Sequence, residues 1–85
     1  MQQWFVYLLR CADNTLYCGI TTDLDRRVAR HNAGTASKYT RARRPVSLAA
    51  WTKAEDKSAA LKLEILTKKQ PAGKKIDFLA GTCRP

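Results

Sequence analysis

Apolar residues in this chain fall into short blocks divided by polar and turn-forming stretches. Trp4 to Leu9 is an unbroken run of aromatic, β-branched and aliphatic residues, which predicts a mostly buried strand. Ala12-Asp13-Asn14-Thr15 supplies turn chemistry, and Leu16 to Ile20 reads as the returning strand of a β-hairpin. Thr21-Thr22-Asp23 brings capping oxygens and an early acid, so a helix is expected from about Asp23 to His31, closing near Asn32-Ala33-Gly34. Ala36 to Arg44 is polar and basic, with room for one or two helical turns before Pro45 stops it. Val46 to Trp51 reads as a third strand. Lys57 to Lys69, rich in Ala, Leu, Lys and Ile, reads as a helix. Pro71 fits the first position of a final helix ending near Ala80, with Gly81 as terminator.

The expected order is β-β-α-(α)-β-α-α. That is an α/β fold of the α+β type, a three-stranded, mostly antiparallel sheet flanked by helices. Residues 1–85 make a single domain, without repeats or linkers. The hydrophobic share, 45%, is that of a globular chain rather than a disordered one. No apolar run approaches the roughly 18 residues of a membrane span, and Met1-Gln2-Gln3-Trp4 lacks the pattern of a secretory signal. Cys11, Cys18 and Cys83 are odd in number and form no C-x-x-C pair, which argues against a disulfide framework or a zinc site. Cys11 and Cys18 are expected in strands, as small core residues, and a reducing cytoplasm fits the chain.

Charge sharpens the picture. Sixteen Lys and Arg against seven Asp and Glu leave +9 on a small body, so polyanions, nucleic acid first among them, are the natural partners. The run Lys38-Tyr39-Thr40-Arg41-Ala42-Arg43-Arg44 mixes cations, a hydroxyl and an aromatic ring. It suits phosphate contact with base or sugar stacking; a solvated loop is the other reading.

A few residues stand out as candidate chemistry. Tyr7 and Tyr17 fall near one end of the paired strands. Each is an ordinary strand former, or a proton-transfer group if a cation lowers its pKa. Gly19 weakens its strand unless something must approach closely there. Around the first helix, Arg27 and His31 project to the same side as Leu24 and Val28, while Arg26 and Arg30 project to a different side. Arg27 and His31 either edge the core and cap the helix, or point into a cleft containing Tyr17, where a guanidinium suits a phosphate. Glu64 is the only acid between Asp56 and Asp77. It either pairs with Lys68 at i+4 or serves as a hard oxygen ligand for Mg²⁺.

Taken together, Phe5-Val6-Tyr7, Tyr17-Cys18-Gly19-Ile20-Thr21, Asp23 to Val28 and His31-Asn32 resemble the opening of the GIY-YIG nuclease domain. Ser37 to Arg41, Arg44-Pro45-Val46, and Glu64 followed by Lys68-Lys69 and Lys74-Lys75 are similar to its small stand-alone bacterial branch, the YhbQ-like proteins. Phe5-Val6 replaces Gly-Ile in the first triplet and Cys18 replaces Ile in the second; both tyrosines remain. The resemblance implies a metal-dependent endonuclease that hydrolyses phosphodiester bonds, with DNA ahead of RNA and a role in repair or processing of structured DNA. It implies catalytic roles for Tyr7, Tyr17, Arg27, His31 and Glu64, with Glu64 holding one Mg²⁺ or Mn²⁺. Lys38, Tyr39, Thr40, Arg41, Arg43, Arg44 and Lys68 would contact nucleic acid. No membrane and no obligate protein partner is expected, and the setting is a bacterial cytoplasm with access to the nucleoid. The alternative is a nucleic-acid-binding module of the same fold with little or no catalysis.

Overall fold

A computed structural model describes residues 3–81. Three strands, β1 (Trp4–Arg10), β2 (Leu16–Thr21) and β3 (Ser47–Ala54), form one sheet in the order β2-β1-β3. Both pairings are antiparallel. Four helices, α1 (Leu24–Ala33), α2 (Lys38–Arg41), α3 (Lys57–Lys68) and α4 (Lys75–Gly81), complete the fold.

The central strand explains the unbroken apolar run. Val6, Tyr7, Leu8 and Leu9 are all buried because both faces of β1 are covered. Val6 and Leu8 pack with Cys18, Ala60 and Leu79 on the face carrying α3 and α4. Tyr7 and Leu9 pack with Cys11, Val46, Leu24 and Val28 on the face carrying α1. Alternation along one strand therefore sends Val6 and Leu8 to one core and Tyr7 and Leu9 to the other.

Local chemistry sets the helix ends. The Asp23 carboxylate accepts from the Arg26 N–H at 3.1 Å and starts α1. Gly34, at φ 83°, closes it in the left-handed conformation, its N–H donating back into the last turn. Asp56 starts α3 by accepting from the Ala59 N–H at 2.8 Å. In the hairpin turn, Asn14 adopts φ 71°, a conformation that Asn tolerates better than most residues.

Three expectations shift. β3 runs on to Ala54, because Trp4, Phe5 and Val6 of β1 offer it partners beyond Trp51. Pro71 leads not into a helix but into a 3₁₀ turn, Ala72–Lys74, and the α-helix begins only at Lys75. Cys11 lies just past the end of β1, buried beneath the turn. Cys83 lies outside the described residues.

Candidate active site

The strand register builds the first half of the site. Tyr7 pairs with Gly19 and Leu9 with Tyr17, so both tyrosines share the α1 face, two positions apart. The Tyr7 side chain crosses directly over Gly19. A Cβ at position 19 would sit 2.5 Å from the Tyr7 hydroxyl oxygen and 2.7 Å from its Cζ. The glycine that weakens β2 is thus required by a side chain passing over it.

Helix α1 supplies the second half. The Tyr7 hydroxyl lies 3.0 Å from His31 Nε2, and His31 Nδ1 lies 2.7 Å from Thr40 Oγ1 in α2. A buried phenol O–H needs an acceptor, since leaving it unpaired is costly. His31 Nε2 meets that need, which places the ring proton on Nδ1, donated to Thr40. The Thr40 hydroxyl is then free to donate to the Ser37 carbonyl, 3.4 Å away. Burial, and then the Arg27 charge, hold His31 below its ordinary 6.5, so the neutral imidazole is the resting form near pH 7. The Tyr17 ring stands edge-on to His31 with centroids 5.2 Å apart.

The charges acting on the Tyr7 hydroxyl identify its surroundings. Burial pushes this phenol well above its ordinary value near 10, and Tyr17, Cys18 and Glu64 push the same way, while Arg27 pulls it down. Arg27 is half-buried in a shallow groove shared with Thr21, Thr22, Asp23, Arg26 and Arg30. The three arginines therefore line one groove, contrary to the separation expected from the helix projection. Arg30 falls between Arg26 and Arg27 around the helix, and long side chains reach across the remaining angle. Arg26 and Arg30 are exposed, so Arg27 alone of the three is turned toward the core.

Glu64 lies on α3, which packs on the other side of the sheet from Tyr7, and its charge weakly raises the Tyr7 phenol. Its side chain is 17% exposed and its contact with Lys68 is long, 3.6 Å. Its charge also raises the Cys18 thiol, which burial mainly holds at about 11. Among the described residues no three His, Cys, Asp or Glu side chains gather into a metal cage. One partly exposed carboxylate fits the other mode of binding Mg²⁺ or Mn²⁺, in which waters and substrate phosphate complete the shell.

The basic run divides. Lys38 and Arg41 are exposed and suited to phosphate contact. Thr40 is fully buried against His31 and does not reach the surface. Tyr39 stacks against Tyr17 with centroids 5.8 Å apart, and the Arg43 guanidinium covers its ring at 3.9 Å. Arg43 also binds Asp13 at 2.9 Å, and Arg44 donates to the Arg41 carbonyl at 3.0 Å. Lys68 stays exposed beside Glu64. Sequence reasoning missed Asn32, whose amide both donates to the Val46 carbonyl (3.0 Å) and accepts from its N–H (2.7 Å), clamping α1 to the start of β3. Its sequence signals were its place beside His31 and its suitability for closing α1.

Comparison with known proteins finds similarity over nearly the whole chain. Residues 3–77 match the family model of the GIY-YIG catalytic domain. The chain is 44% identical over 84 residues to UPF0213 protein Reut_B5558 of Cupriavidus pinatubonensis, covering 99% of this chain and 93% of the relative. It is 49% identical over 83 residues to UPF0213 protein VC_A0739 of Vibrio cholerae, covering 95% and 81%. Two solution NMR structures are similar, both at 36% identity. UPF0213 protein BH0048 of Bacillus halodurans aligns with a TM-score of 0.57 over 99% of this chain and 89% of that one. EF2693 of E. faecalis aligns with a TM-score of 0.65 over 96% and 88%. None of these names assigns a substrate.

Proposed function

This chain belongs to the GIY-YIG catalytic-domain family, a nuclease superfamily, and from that premise we propose that it is a metal-dependent endonuclease cutting phosphodiester bonds, in DNA ahead of RNA. The observation that carries the reading is the buried Tyr7–His31–Thr40 chain, with Arg27 and Glu64 acting electrostatically on its Tyr7 end.

A phenol held well above pH 10 is not a phenolate at neutral pH, so Tyr7 alone is a poor base. Neutral His31 resolves this. As the attacking water gives its proton to the Tyr7 oxygen, the Tyr7 proton passes to His31 Nε2 along the 3.0 Å contact. Nδ1 stays bonded to Thr40 throughout and steadies the imidazolium. Tyr17 lines the same face and orients the nucleophile. The Arg27 fork stabilises charge growing on the phosphate oxygens. Glu64 would hold Mg²⁺ or Mn²⁺, which when bound supplies positive charge for the leaving oxygen.

Lys38 and Arg41 supply sequence-independent phosphate contacts, which suits structured DNA during repair or processing. No helix among the described residues is long and apolar enough to cross a membrane. Free, buried Cys11 and Cys18 suit a reducing cytoplasm.

The test is cleavage of a panel of labelled DNA and RNA structures with and without Mg²⁺ or Mn²⁺. Wild type should cut in the presence of metal. Glu64→Ala should not cut, yet should bind as tightly or more so, because a negative charge leaves the phosphate site. Binding without cleavage by wild type across the whole panel would leave a nucleic-acid-binding module instead.

A further inference from the structure

Arg43 sits in the basic run, yet its guanidinium is already engaged. Its Nε donates to Asp13 Oδ2 at 2.9 Å, its NH1 donates to the Tyr39 carbonyl at 2.9 Å, and its plane covers the Tyr39 ring at 3.9 Å. A second bond runs parallel to the first: the Ala12 N–H donates to the Arg43 carbonyl at 2.9 Å. The hairpin turn thus grips the segment after α2 by side chain and backbone together.

We propose that Asp13 and Arg43 form a latch that positions the catalytic aromatic cluster, by pinning α2 to the hairpin turn so that Tyr39 backs Tyr17 and Thr40 backs His31.

Helix α2 has four residues, far too few to hold its shape alone. Its position must come from tertiary contacts, and it carries two of the supports of the site. Tyr39 stacks on Tyr17, which in turn stands edge-on to His31. Thr40 fixes the imidazole at Nδ1. Asp13 is itself held ready, its carboxylate accepting from the Thr15 hydroxyl at 2.6 Å and the Thr15 N–H at 3.1 Å. Those bonds, with Arg43 adding to them, keep it ionised below the ordinary carboxylate range. A base could stack on Tyr39 only by displacing Arg43 or Tyr17, so this ring is a support rather than a free platform. An exposed ion pair adds little to global stability, so its removal should loosen the site without unfolding the domain. Asp13 and Arg43 are positioning residues in this scheme; neither touches the reacting atoms.

The experiment has one arm that needs no activity. In aromatic NMR spectra of the free protein, stacking shifts the ring protons of Tyr17 and Tyr39. Asp13→Ala, Arg43→Ala and Arg43→Lys should each collapse those shifts, leaving amide-exchange protection in β1 unchanged. Intact stacking in all three variants would overturn the latch, whether or not the chain is a nuclease. The second arm rests on the nuclease reading and uses single-turnover cleavage at saturating DNA. All three variants should slow cleavage on the order of 10- to 100-fold, the scale of a misplaced catalytic group. Affinity and its salt dependence should hold for Arg43→Lys. Arg41→Ala, from the exposed part of the run, should instead lose affinity and about 0.7 to 0.9 from the log–log salt slope. Asp13→Ala is the sharpest case, because removing a negative charge should favour any purely electrostatic contact with DNA. Unchanged or faster cleavage by Asp13→Ala, or full activity in Arg43→Lys, would make Arg43 a phosphate contact and overturn the proposal.

Discussion

The Tyr7 hydroxyl and His31 Nε2 meet at 3.0 Å across 24 residues of chain, with Tyr7 2% and His31 1% exposed. Neither group gains this contact from its own element. Tyr7 is aimed by the parity of β1 and by the missing side chain at Gly19. His31 is aimed by the last turn of α1 and by Thr40.

Because His31 is buried neutral, stability should depend on pH in a definite direction. Its folded pKa lies below the unfolded value of 6.5, so the unfolded chain binds the extra proton first. The contribution is complete above about pH 6.5 and is lost as pH falls from there through the folded pKa. Urea midpoints of wild type should therefore drop between pH 7.5 and 5, and those of His31→Gln should drop less. Parallel curves would show that His31 is not the group responsible. The cleavage rate should fall over the same acid range, since a protonated imidazole cannot accept from Tyr7.

Gly19→Ala should be destabilising by about 1–3 kcal/mol, the scale of overpacking a buried contact. The new methyl meets the Tyr7 hydroxyl at 2.5 Å, and that hydroxyl is tied to His31. Adding Tyr7→Phe should recover only part of the loss, because Cζ would still be 2.7 Å away. Additive effects in the denaturation double-mutant cycle would refute the clash.

Thr40→Val keeps the shape and removes the hydroxyl, leaving the His31 Nδ1–H buried without its partner. A loss of about 1–3 kcal/mol is expected for a stranded buried donor, with Thr40→Ser close to wild type. Wild-type stability in the valine variant would show that the His31–Thr40 bond does not stabilise the fold.

Arg27→Ala should cut the single-turnover rate by about 10²–10³, with little change in affinity, the usual consequence of losing one preorganised electrostatic group. Arg27→Lys should restore only part of it, for want of the planar fork. Arg26→Ala and Arg30→Ala share the groove but are exposed. They should lose salt-dependent affinity and keep most of the rate. Equal rates for Arg26→Ala and Arg27→Ala would remove Arg27 from the reaction.

Local chemistry made much of this protein legible before any folding. The run Phe5 to Leu9 forms a central strand because consecutive apolar residues leave no face fit for water. Asp23 and Gly34 bound α1 because a carboxylate can take the first free N–H groups and glycine accepts a positive φ. The short turn was enough to place Tyr7 and Tyr17 near one end of the paired strands, and helical spacing put His31 on the side of Leu24 and Val28 without deciding whether it capped the helix or faced a cleft. What tertiary structure decided was partnership. Thr40 reads as a surface hydroxyl in a basic run and is instead buried against a histidine nine residues earlier. Arg43 reads as one cation among several and is bound to an acid 30 residues away. Gly19 reads as a weak point until the Tyr7 ring is laid across it. The physical reason is that periodicity fixes which side of an element a residue faces, through geometry that repeats every few residues. Which distant group waits on that side depends on register and on the packing of short segments such as α2, whose four residues carry too few local interactions to declare their position.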